Sequence, residues 1–178
     1  MSKFQEMCQA YRKAQLEFKS FQNASVVFAE ELWRRMIAYF EVPMSHSTLY
    51  GISEEGGFEP ANPPFGNFLK LRNDGFWEFG VGITVFEHQD AYPRDNILLY
   101  LLVRKDLHNS YQVKLAGTQG IYSIHQDNDA EFEMFFNFIF TTIMDSYNTG
   151  LERLLQEKPT NRIGFDIDEV AKSPRRRV

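Results

Sequence analysis

A chain of 178 residues with 43% hydrophobic side chains is the right size for one core and too apolar for disorder, and an aromatic content of 15%, with 17 Phe, points to packing by rings. The formal charge is −5, but Lys172, Arg175, Arg176 and Arg177 fall within the last eight residues, which hold no acid, so the 170 residues before them carry −9. An acidic body opposes binding to phosphate backbones and argues against a nucleic-acid partner.

The first element is a helix expected over residues 1–42. Phe4, Met7, Tyr11, Ala14, Phe18, Phe21, Ser25, Phe28 and Leu32 recur at alternating steps of three and four, which stacks them on one face. Up to Phe21 this face is narrow, like the seam of a coiled coil; from Ala24 onward Val26, Val27, Ala29, Trp33, Met36, Ile37 and Phe40 widen it, as expected of a half that sinks into the domain. A helix of about 38 residues is roughly 57 Å long, whereas a compact domain of this size is about 40 Å across. The N-terminal half should therefore overhang, and Phe4, Met7, Tyr11, Phe18 and Phe21 are the candidate interaction surface, for a second copy of the chain or another protein. Asn23 to Ser25 could instead cap a second helix, although the absence of Gly and Pro there favours continuity. Cys8 lies beside the stripe and reads as a partly buried thiol.

After Pro43 a loop runs to about residue 66, with a short strand at Thr48–Ile52. A hairpin then joins Asn67–Arg72 to Phe76–Glu87 through Asn73-Asp74-Gly75. In its second strand Trp77, Phe79, Val81, Ile83 and Val85 share one face, while Gly80 and Gly82 leave a bare patch on the other, a candidate groove against which a helix could lie close. Asn96–Arg104 is apolar on both faces and reads as a central strand; Tyr111–Leu115 and Gly120–His125 follow. Asp127-Asn128-Asp129 caps a second helix striped by Phe132, Phe135, Phe136, Ile139, Ile143, Tyr147, Leu151, Leu154 and Leu155, with Asn148-Thr149-Gly150 a candidate kink. The elements predict a single α+β domain over 1–158: a long helix (1–42), an antiparallel five- to six-stranded meander (47–125) and a helix (129–157) packed with the first on the sheet. Residues 159–178 form an extension, in which Ile163–Asp168 alternates like an edge strand and the basic end reads as a solubilising terminus.

Three side-chain sets could carry chemistry. His88-Gln89-Asp90 and His125-Gln126-Asp127 place His and Asp two apart, on one side of an extended chain, and His88, Asp90 and His125 make a candidate metal triad. Polar exits from two strands account for the same residues. Asp95 followed by Gln112-Val113-Lys114 on the next strand resembles the acid and lysine layout of the PD-(D/E)xK nucleases, which implies a metal-dependent nuclease; Gln stands where the usual Glu would be, and the solvent face of an alternating strand explains Gln112 and Lys114 as well. Gly80-Val81-Gly82 lies in mid-strand and is no phosphate loop, and no serine sits in a nucleophile elbow. The expectation is a non-enzymatic, cofactor-free interaction protein of adaptor, dedicated-chaperone or immunity/inhibitor type, a homodimer that also meets a protein partner. The alternative is a small-molecule binder with a pocket between helices and sheet. With one cysteine, no leader pattern and no apolar run near the ~20 residues that span a bilayer, the expected setting is the cytoplasm, away from membranes.

Overall fold

A computed structural model describes residues 2–88, 92, 94–106 and 108–155, with the backbone alone for 150–155. Helix α1 spans Lys3–Tyr39 without a break, so Asn23 is interior and starts no second helix. A capping box opens it: Ser2 Oγ accepts from Gln5 N, and Gln5 Oε1 accepts from Ser2 N. It ends at Phe40, followed by Glu41 with φ 54° and then by Pro43.

Among the described residues seven strands follow: β1 (Ser47–Ile52), β2 (Phe58–Ala61), β3 (Lys70–Leu71), β4 (Trp77–Phe86), β5 (Arg94–Lys105), β6 (Tyr111–Leu115) and β7 (Tyr122–Ile124). All pairings are antiparallel, in the order β2-β1-β4-β5-β6-β7, and β3 joins the start of β4. From β4 to β7 the sheet is the expected meander. Before β4 it differs: the expected short strand becomes β1, which forms a hairpin with β2 in the stretch expected as loop and pairs directly with β4, Leu49 opposite Val81. The strand expected over Asn67–Arg72 shrinks to two residues because Phe65–Asn67 winds into a 3₁₀ turn that buries Phe65. The turn into β4 is as expected, with Gly75 at φ 81° and Asp74 accepting from the Phe76 amide.

Helix α2 (Asp129–Leu155) continues through Asn148-Thr149-Gly150. Both helices pack on one sheet face: Phe28, Leu32, Met36, Phe132, Phe135 and Ile139 meet Phe79, Val81, Leu99, Leu101, Val113 and Leu115, all essentially without exposure. The Phe28 ring stacks on Tyr111 with centroids 3.8 Å apart. Arg35 ties the helices by pairing with Glu31 and Asp129 while its guanidinium lies 4.4 Å from the Phe132 ring centre. Among the described residues no helix is long and apolar enough to cross a membrane.

Candidate functional site

The stripe of α1 splits at one contact. Ser25, Phe28 and Leu32 are fully buried, and Phe21 is half-buried with its ring 6.5 Å from that of Trp77. Everything from Ser2 to Ser20 is exposed. Phe4 is 70% exposed, Met7 63%, Tyr11 68% and Phe18 45%, although they continue the same face that becomes core seven residues later. Residues 3–20 therefore form an arm about 27 Å long. It leaves the domain past Trp77, at the end of the sheet where β4 begins and β5 finishes. Its helix is already nucleated by the buried half, so it needs no packing of its own to start. Four large apolar side chains on one face amount to a patch on the order of 400–500 Å², near the upper end of what a monomer leaves bare.

Two expectations about this helix change. Cys8 is exposed rather than partly buried. Phe21 belongs at least as much to the intrachain core as to the arm, since it is the residue that closes over Trp77. Val27 also faces outward.

The glycine face of β4 lies away from both helices. A Cβ at Gly80 would come within 2.6 Å of the Phe58 ring and 2.9 Å of Tyr50 Cβ; one at Gly82 would come within 2.8 Å of the Tyr50 ring. The helix expected over this patch is replaced by aromatic side chains from β1 and β2, which are bent over the sheet surface. Beside them Glu78, buried, accepts from the Tyr100 hydroxyl, and Arg72 donates to the same hydroxyl at 3.2 Å with its Nη1 3.6 Å from Glu78. Burial, and then the adjacent Glu78 carboxylate, pushes the Tyr100 phenol up to about 12. Every member of this cluster is partnered, so it reads as a closed structural network. A groove at the end of β1 is lined by Gly51, Ile52, Glu59, Asn67 and Lys70.

The nuclease set is not brought together. Asp95 faces the helices and accepts from the Tyr147 hydroxyl at 2.9 Å. Lys114 stands opposite Leu102, on the other face and seven residues further along β5, roughly 24 Å away. There it lies 4.9 Å from the Phe76 ring centre, while Gln112 accepts from Arg104. Of the metal candidates, His125 Nδ1 is 3.0 Å from Glu131, Asp90 lies outside the described residues, and among the described residues no group of three His, Cys, Asp or Glu could hold a metal. The Ile163–Asp168 segment and Arg175–Arg177 also lie outside the described residues.

Of the exposed strip on α2, Phe140, Met144 and Tyr147, the stripe expected from the sequence included Tyr147 but neither Phe140 nor Met144. Its three-four spacing was legible, but nothing in the spacing distinguishes a face turned to the core from one turned to water. Comparison with protein-family models, curated proteins and solved structures returned no match for this chain.

Proposed function

We propose that this chain is a non-enzymatic assembly protein, working in the cytoplasm, whose N-terminal arm joins it to a second copy and presents a helical surface of the kind an adaptor, dedicated chaperone or immunity/inhibitor protein offers its partner. The observation that carries this reading is the continuity of one apolar stripe across the edge of the domain: Phe28 is fully buried, while Tyr11 and Phe4, on the same face, stand in water. Leaving large aromatic surface exposed on a rigid helix is unfavourable unless another surface covers it.

Light scattering of the full chain over a concentration series tests the reading. The expected result is a dimer that Tyr11→Asp with Phe18→Asp converts to a monomer of unchanged helix content. A wild-type monomer at high micromolar concentration overturns it.

The small-molecule alternative draws less support. The layer between helices and sheet is filled by Phe28, Phe65, Phe79, Phe132 and Phe135, each at most 1% exposed.

A further inference from the structure

Resting on the arm's role in assembly, we infer that the arm of one copy docks on the exposed stripe of α2 in the second copy, reciprocally, and not on the other arm.

The acceptor is specific. Phe140 is 49% exposed, Met144 41% and Tyr147 48%, spaced three and four apart along α2. Phe140 sits 6.3 Å, ring to ring, from Phe40 at the end of α1, and the exposed Tyr39 extends the patch. The result is an apolar strip with the same period as the arm, suited to side-by-side helix packing.

Charge selects the pairing. The arm holds four bases, Lys3, Arg12, Lys13 and Lys19, against two acids, Glu6 and Glu17, and is net +2. Residues 23–149 hold eight bases and 17 acids and are net −9. Residues 129–150 contain Asp129, Glu131, Glu133 and Asp145 and no base at all, and Glu41 follows Phe40. A basic arm laid on this strip meets opposite charge; laid on another arm it meets its own.

Geometry makes the occupant a second copy. Tyr147 is anchored at Asp95, and Phe21 at Trp77, which is paired with Val103. Asp95 and Val103 are eight residues apart on β5, roughly 27 Å, and the arm points further away from there as one continuous helix. A chain cannot fold its own arm back onto its own α2 stripe. Two copies side by side in opposite directions can each place an arm on the other's stripe, an isologous arrangement. Covering four arm residues and four acceptors buries on the order of 1,000 Å² per contact, and two such contacts reach the size of a standard stable interface.

The chain's single cysteine supplies the probe, because Cys8 is exposed and lies beside the stripe of the arm. In the full chain, Asn137→Cys, Thr141→Cys, Met144→Cys and Asn148→Cys are introduced one at a time on the exposed side of α2, with Glu54→Cys in the distant β1–β2 turn as control. After mild oxidation, mass spectrometry reads which thiols are joined. The expected result is a dimer linked from Cys8 to the α2 thiol in at least two of the four variants and not in the control. The dimer should also weaken at least threefold between 50 and 500 mM salt, as screening removes the attraction. A dimer whose α2 thiols never join Cys8, including one linked only Cys8 to Cys8, overturns this inference and leaves the assembly reading standing. Introduced thiols shielded from alkylation in the wild-type length and released by deleting 156–178 would assign the stripe to that segment, which also overturns it. A monomer under all conditions removes both.

Discussion

The ring of Phe21 rests against that of Trp77, and this contact marks where α1 stops being core and becomes an arm. One turn earlier Phe18 is 45% exposed; one turn later Ser25 is fully buried and returns its hydroxyl to the Phe21 carbonyl at 3.0 Å. Phe18 and Phe21 are therefore not equivalent. Phe21→Asp should lower stability by about 2–4 kcal/mol, because it sets a carboxylate against a buried indole. Phe18→Asp should change stability by less than about 1 kcal/mol while impairing self-association. Thermal melts of the two variants below the association range decide it; equal losses would mean that the domain edge lies elsewhere.

On the open sheet face, Gly80→Val should cost about 1–3 kcal/mol, since the Phe58 ring and the stiff Cβ of Tyr50 already occupy the space a side chain needs. In a double-mutant cycle the loss should shrink on a Phe58→Ala background, where the ring is gone. Additive losses would show that the Tyr50 Cβ, not the Phe58 ring, sets the cost.

The Glu78, Tyr100 and Arg72 cluster predicts an alkaline limit. The phenol of Tyr100 titrates near 12 in the folded chain against 10.0 for an ordinary tyrosine, so its contribution to stability is fully present below pH 10 and is lost as pH rises through 12. Tyrosinate absorbance should show Tyr100 ionising among the last of the eight tyrosines, with Tyr147 also raised by burial and by Asp95. Glu78→Gln should bring the Tyr100 titration down. An unchanged curve in that variant would mean that burial alone holds the proton.

At the far end of α2, Asp95→Asn removes the carboxylate that takes the Tyr147 hydroxyl. Amide exchange in residues 143–149 is expected to quicken, corresponding to a local loss of about 0.5–1 kcal/mol. Lys114→Ala, on the opposite face, should leave that exchange untouched. A matched response in both variants would contradict their separation across the sheet.

By itself the sequence determined the period of the main elements. A stripe from Phe4 to Leu32 without Gly or Pro sustains one helix; the alternation through Val81, Ile83 and Val85 makes β4; the Asn73-Asp74-Gly75 turn sets the hairpin; and the apolar run of β5 places it at the centre. These follow from local rules, because side-chain period and backbone restriction act within a few residues. The tertiary structure alone decided which stretch of each stripe is covered. Phe18 and Phe28 are the same residue type on one face, and only the position of Trp77 and Tyr111 makes one core and the other arm. Gly80 and Gly82 signalled a close approach correctly but not its author, since a helix and a ring both need a missing Cβ; the β1–β2 hairpin, formed by pairings distant in sequence, supplied the rings of Tyr50 and Phe58. The same long-range register separated Asp95 from Lys114 onto opposite faces, because residues on neighbouring strands share a site only when both register and facing agree.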